Sequence, residues 1–315
     1  MKQCNLLNFE RDIHTVPVDW LWYPYISLGN ITIIQGDPSC GKTMFSSYLL
    51  SQLSKGYDLN NPDEIGEPIV SLFFSAEDSL SNTIKPRLEM HNADCNHIYS
   101  IDDASSPLTM KDERIEEALI RTNAKVIVLD PIQAYLGPQV DMHRANEVRP
   151  VLKHLGSLAE RYNCAIILIG HMNKGSGKAL YRSVGSIDFI ACARSVLTIG
   201  KVKDEQDIRV ILHTKSSLAP AGATLAFSIN REKGFEWIGE YDISEDDLLA
   251  GGTGSSKLSS AIELIESLTQ NEPVATNKIM AEAKLKGIGK TTMNAAKEKL
   301  NIKSMRMNDM WYWSK

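Results

Sequence analysis

The sequence predicts an α/β fold: a mostly parallel central sheet flanked by helices, antiparallel strands at one edge, and a small C-terminal domain. Three observations point there. Four short apolar runs, Ile31–Gln35, Ile69–Ser75, Lys125–Asp130 and Cys164–Gly170, alternate with segments of helical periodicity. Continuous apolar strands separated by helices mark a parallel sheet covered on both faces. After Arg194 the pattern changes to strands with no long helix between them. A glycine- and serine-rich stretch at 250–256 then reads as a flexible linker between residues 1–249 and 257–315.

Taken in order, strand Ile31–Gln35 runs into a helix over Lys42–Ser54, and Ile69–Ser75 leads into a helix over Ser79–Met90 that Asp78 is placed to cap. A helix over Glu113–Thr122 precedes strand Lys125–Asp130, and another over Glu147–Tyr162 precedes Cys164–Gly170. Val196–Ile199, Ile208–Thr214, Thr224–Ile229 and Phe235–Ile238 read as antiparallel additions at one sheet edge. Beyond the linker, Ser259–Thr269, Asn277–Lys286 and Thr291–Lys299 read as short helices. A strand pair within Ser304–Trp313 follows them, turning at Asn308 and Asp309. Three helices and a β-wing make a winged-helix-like domain the expectation.

Composition narrows the function classes. At 43% hydrophobic and 23% charged residues the chain has the make-up of a soluble globular protein. Its longest apolar run, Cys164–Gly170, is far short of the ~18–20 residues that span a membrane. Glu10, Arg11 and Asp12 stand where a signal peptide needs apolar residues, so a cytoplasmic location is expected. Five scattered cysteines with no C-x-x-C pair argue against a disulfide framework or a zinc site. From Lys257 to Lys315 there are 10 Lys and Arg against 6 Asp and Glu; the rest of the chain holds 24 against 33. A basic tail on an acidic body is compatible with nucleic-acid contact and equally with an ordinary solvated surface.

The chemistry begins at Gly36-Asp37-Pro38-Ser39-Cys40-Gly41-Lys42-Thr43, which satisfies G-x-x-x-x-G-K-S/T in full. It follows an expected strand and opens an expected helix, the context the motif requires. Glycines let the backbone curl so that its N–H groups face phosphate, and the helix start adds partial positive charge. Lys42 is placed for the β- and γ-phosphates of ATP, and the Thr43 hydroxyl for Mg²⁺. Two partial copies fail the rule. Gly177-Lys178 has Met172 in the first-glycine position, and Gly289-Lys290-Thr291 has Lys284 there.

Asp130 ends an apolar strand and is the acid such a loop needs to hold Mg²⁺ or its water. Pro131 follows it, so a water-activating base must come from elsewhere. Strand Ile69–Ser75 ends in Ser75-Ala76-Glu77-Asp78 at the carboxyl edge of the sheet, and Glu77 is the expected base.

Further motifs follow in order: Trp20-Leu-Trp-Tyr-Pro-Tyr-Ile26, Val128-Leu-Asp-Pro-Ile-Gln-Ala-Tyr-Leu136, Gly170-His-Met-Asn-Lys174, Tyr181-Arg-Ser-Val-Gly-Ser-Ile-Asp188 and Ala193-Arg-Ser-Val196. With the phosphate loop and Glu77 they resemble RecA-like P-loop ATPases of the AAA_25 type, over about residues 15–248. These are similar to RepA-type hexameric helicases of plasmids and to ATPases of phages and integrative elements. The resemblance implies that His171 senses the γ-phosphate, that Arg87 belongs to the nucleotide and interface region, and that Arg194 reaches into a neighbouring subunit's site. Arg182 is a second candidate for that reach. Where ring helicases often carry K-x-R, this chain has Lys215 but Ser217, leaving Arg194 with Lys215 as the expected pair. The basic segment Asn173–Tyr181 would face a ring pore, where Lys174 and Lys178 could track a DNA backbone.

The resulting expectation is a homo-hexameric ATP-driven motor on single-stranded DNA, a replicative helicase or helicase-like ATPase of a mobile genetic element. The alternatives are a recombination or repair accessory ATPase without unwinding, and a nucleotide-gated DNA-binding regulator. No nuclease, primase or protease constellation is evident, and Asp102-Asp103 and Asp246-Asp247 read as solvated turns.

Overall fold

A computed structural model describes residues 7–314 except 11, 62, 173–186, 203–204, 206, 231–232, 246–247, 249–254, 271–272 and 308–309. Arg182, Lys174, Lys178, the Asn308–Asp309 turn and Asp246–Asp247 therefore lie outside the described residues. The elements of the main body are β1 Trp20–Trp22, β2 Ile26–Ser27, β3 Ile31–Gly36, α1 Lys42–Leu53, β4 Ser71–Ser75, α2 Lys85–Met90, β5 Ile98–Tyr99, α3 Glu113–Thr122, β6 Val126–Asp130, α4 Ala145–Tyr162, β7 Ala165–His171, α5 Ile187–Cys192, β8 Ser195–Lys201, β9 Ile208–Ser216, β10 Leu225–Asn230 and β11 Gly234–Asp242.

Strands β3 to β11, with β12 (Ser255–Ser256), form one ten-stranded sheet in the order β12-β11-β10-β9-β8-β3-β7-β6-β4-β5, and β1 and β2 pair as a separate hairpin. From β8 to β5 every neighbouring pair is parallel; β9 to β12 add antiparallel. The mostly parallel sheet of the sequence reading is therefore present, with one correction. The strand expected at Val196–Ile199 is parallel to β3, not an antiparallel addition. Helix α5 lies between β7 and β8, and a parallel connection needs such a crossover. The glycine-rich stretch before α5 concealed it in the sequence. The last two residues of the expected linker form β12, paired to Tyr241 and Asp242.

Both faces of the sheet are buried, which is why the central strands read as unbroken apolar runs. Ile31, Ile33, Ile127, Leu129, Ile166 and Leu168 point into one core with α3, α4 and α5. Ile34, Val126, Val128, Ala165, Ile167 and Ile169 point into the other with α1 and α2. The side chains alternate with the period of the pleat. Each fully buried Ile or Leu contributes about 1.5–3 kcal/mol of transfer free energy.

The second core holds an aromatic cluster that seats α1. Phe45 lies 6.0 Å from Trp22 and 6.1 Å from Phe227 between ring centroids, and Phe227 stacks on Phe235 at 4.5 Å. The β1–β2 hairpin and strands β10 and β11 thus clamp the helix that carries the loop at Gly36–Thr43. Residues 257–315 have a core of their own, including Ile265, Ile279, Met293, Ala296 and Trp313. It is built from α6 (Lys257–Thr269), α7 (Thr276–Leu285), α8 (Lys290–Lys299) and the antiparallel sheet β13-β15-β14 (Val274–Ala275, Met310–Ser314, Lys303–Met307). Among the described residues, no helix is long and apolar enough to cross a membrane.

Candidate active site

The sheet order brings residues distant in sequence to one carboxyl edge. Gly36 at the end of β3 is opposite His171 at the end of β7, and Ser75 at the end of β4 is opposite Asp130 at the end of β6. The N–H of Ala76 donates to the Asp130 carbonyl at 3.0 Å, turning Glu77 over the same edge. The loop, His171, Asp130 and Glu77 thus share the side of the sheet where α/β proteins bind ligands.

Within the loop, Ser39 and Gly41 both take left-handed backbone, with φ of 60° and 97°. At Gly41 it is the φ of 97° that disfavours a side chain, since the nearest atom to an added Cβ, Ile229 Cδ1 at 2.6 Å, is the movable end of a side chain. Gly36 is more constrained: its Cβ would lie 2.2 Å from the Ile199 carbonyl oxygen. Backbone of this kind turns successive N–H groups to one side, forming an anion-binding nest ahead of α1. Those at the start of α1 have no intrahelical acceptor. Lys42 is buried, and its ammonium donates to the carbonyls of Gly36 and Asp37 at 2.9 Å each, with His171 Nδ1 at 3.2 Å. Burial pushes the Cys40 thiol up, with Lys42 opposing.

Thr43 Oγ1 donates to Asp130 Oδ2 at 2.6 Å. Burial raises the Asp130 carboxyl above the usual carboxylate range, the nearby Asp78 and Glu77 add to this, and the Thr43 hydrogen bond and the Lys42 charge oppose it. A desolvated carboxylate beside a hydroxyl is a hard oxygen donor set that suits Mg²⁺. The residues present therefore fit both nucleotide and metal.

Glu77 is exposed, and its Oε2 lies 3.8 Å from His171 Nε2. Asp78 does not cap the following helix; Ser79 does, accepting from the Asn82 N–H at 3.5 Å. A wide π-helical turn, Leu80–Ile84, precedes α2. Asp78 instead pairs with Arg87 at 2.7 Å, fixing Arg87 at the edge of the site.

The expected trans-acting pair, Arg194 and Lys215, stands elsewhere. The N–H of Arg194 bonds to the Ile31 carbonyl at the start of β3, at the opposite sheet edge from the loop. Lys215 is turned inward: its ammonium donates to the carbonyls of Ile190, Ala191 and Ala193 at 2.6, 3.3 and 2.7 Å, closing the end of α5. Sequence reasoning missed Arg209 on β9, whose charge reaches Cys40 and whose guanidinium is pushed down by burial. No motif marks it; only the fold of β9 beside β8 brings it there. The partial motif Gly289-Lys290-Thr291 merely opens α8.

A phosphate loop, a strand-end acid and a carboxylate one strand further, with β7 inserted between β3 and β6, define a RecA-like P-loop ATPase. The chain belongs to the AAA_25 family: the family model, an AAA domain, matches residues 7–177. A KaiC-like protein from the hyperthermophilic archaeon Pyrococcus horikoshii is similar at 17% identity and a TM-score of 0.49, covering 67% of this chain and 90% of that one. None of the curated proteins searched matches the sequence.

Proposed function

We propose that this ATPase is a ring-forming, ATP-driven DNA motor, a replicative helicase or helicase-like ATPase of a mobile genetic element, with ATP hydrolysed between the subunits of a hexamer. The observation that carries this reading is the separation of Arg194 from the phosphate loop. Strand β3 spans Ile31 to Gly36, about 16 Å at the rise of a β-strand, farther than an arginine reaches. An arginine on that edge can serve a triphosphate only on another copy.

In this reading the loop N–H groups and Lys42 hold the triphosphate, Glu77 orients and deprotonates the attacking water, and Arg194 of the neighbour stabilises charge on the transferring phosphoryl. Thr43 and Asp130 would hold Mg²⁺, which supplies charge neutralisation at the β- and γ-phosphates. His171, between Lys42 and Glu77, would relay the state of the γ-phosphate to β7 in this reading. The basic tail, read as a winged-helix-like domain, supports contact with DNA; α8 exposes Lys290 and Lys299.

Native mass measurement with a non-hydrolysable ATP analogue should give a hexamer. Single-stranded DNA should stimulate ATP turnover, and a forked substrate should be unwound. The same tail also suits a nucleotide-gated DNA-binding regulator. DNA-independent turnover with tight duplex binding and no strand displacement would establish that second reading instead.

A further inference from the structure

The edge of the sheet that carries Arg194 holds a groove of about 920 Å³, walled by the start of β3, the end of α5 and one face of α4. Arg149, Lys153, Gly156 and Glu160 are spaced by four, three and four residues, so they share that face of α4. Gly156 faces Ile31, where a Cβ would touch Ile31 Cδ1 at 4.0 Å, which orients the face toward β3. Arg149, Lys153 and Arg194 make one end of the groove basic, while Asp19 and Glu160 lie at the other, beside Asn163.

Arg149 is held at its root and open at its tip. Its Nε donates to Asp188 Oδ1 at 2.5 Å; the Asp188 side chain is 4% exposed and that of Arg149 69%. Asp188 lies on α5, the helix that leads into Arg194, so its ion pair fixes Arg149 beside that segment. Lys215, the partner expected for Arg194, meets three carbonyls with its three donors and would have to uncap α5 to reach outward.

We infer that Arg149 is a second guanidinium acting in trans: with Arg194 it forms an anion site for the triphosphate of ATP bound by the neighbouring copy. Two guanidinium groups on adjacent elements can grip non-bridging phosphate oxygens from two directions, which a point charge such as Lys215 cannot reproduce. The inference rests on the reading that ATP is hydrolysed between copies.

The test uses the full-length protein with saturating single-stranded DNA. Arg149→Gln should lower kcat for ATP at least tenfold, with the affinity for an ATP analogue changed less than twofold, because the loop that binds nucleotide is on the other edge. Since Gln removes the guanidinium that donates to Asp188, Arg149→Lys is measured alongside; it keeps the ion pair, loses the planar fork, and should also lose at least tenfold in kcat. Mixing Arg149→Gln with Glu77→Gln chains should restore turnover, because each copy then supplies what the other lacks. If Arg149→Lys and Arg149→Gln turn over like the parent while Arg194→Ala is inactive, the inference fails and hydrolysis between copies stands. If Arg194→Ala is also fully active, that reading fails with it. Absence of rescue on mixing overturns the trans assignment.

Discussion

His171 Nδ1 lies 3.2 Å from the Lys42 ammonium. An ammonium can only donate, so Nδ1 accepts, and the ring proton sits on Nε2, which faces Glu77 Oε2 at 3.8 Å. That distance is too long for a direct hydrogen bond and too short to admit a water, so the ring and the carboxylate meet in a loose polar contact. The phosphate-seeking lysine and the proposed base are thus joined through one imidazole at the end of β7. His171→Ala should leave the affinity for an ATP analogue within about twofold, because the loop N–H groups remain. It should abolish stimulation of turnover by single-stranded DNA. Stimulation equal to the parent's, measured by phosphate release, would remove His171 from the coupling path.

Glu77 separates binding from chemistry. Its side chain is 67% exposed, so replacing it disturbs no packing. Glu77→Gln should cut kcat by about 10²–10⁴ with the melting temperature unchanged, the range expected for loss of a general base. Asp78→Ala offers the contrast: it frees Arg87 from its 2.7 Å ion pair and should alter KM more than kcat. Steady-state kinetics of both variants distinguishes a base from a neighbouring carboxylate of merely local effect.

Gly36 and Gly289 both precede a helix and invite the same substitution, with opposite outcomes. At Gly36 the new Cβ would meet the Ile199 carbonyl oxygen at 2.2 Å and Cys40 Sγ at 2.7 Å. The carbonyl belongs to β8 and cannot swing aside, so the loop itself must shift. Gly36→Ala should weaken ATP binding at least tenfold and cost about 1–3 kcal/mol of stability. At Gly289 nothing lies within 4 Å, and Gly289→Ala should cost no more than about 1 kcal/mol, the loss of a favourable cap residue. Calorimetric titration and thermal melts on the pair decide the matter.

The parts of this molecule legible in its sequence are those whose signal is local. The loop Gly36–Thr43 announces itself because phosphate binding needs glycines and a lysine at fixed spacing on one strand–helix junction. Strands β3, β4, β6 and β7 were readable because burial on both faces leaves no room for polar residues. What depends on strand order was not readable: that β7 lies between β3 and β6, that β8 is parallel, and that Lys215 folds inward onto α5. The ion pair of Arg149 and Asp188 joins residues 39 apart, with nothing in either neighbourhood to mark it. Pairings of that kind become visible only once α4 and α5 pack side by side.

Asp130 carries a conflict between stability and function that can be measured. Burial is the largest influence on its carboxyl and raises it, outweighing the Thr43 hydrogen bond and the Lys42 charge. A carboxyl whose folded value lies above its unfolded value contributes stability that is fully present below the unfolded value, near 3.8, and is lost as pH rises through the folded value. At neutral pH the ionised, desolvated Asp130 therefore destabilises the protein measured without nucleotide. Asp130→Asn keeps an acceptor for the Thr43 hydroxyl and removes the charge. It should melt higher than the parent at pH 7, with the gap closing as pH falls toward 4, and it should hydrolyse no ATP because the negative charge that would hold Mg²⁺ or its water is gone. Melting curves across that pH range provide the check. An Asn variant that melts below the parent by the same amount at every pH would show that the Asp130 charge is compensated where it stands, and that its burial carries no cost for binding to relieve.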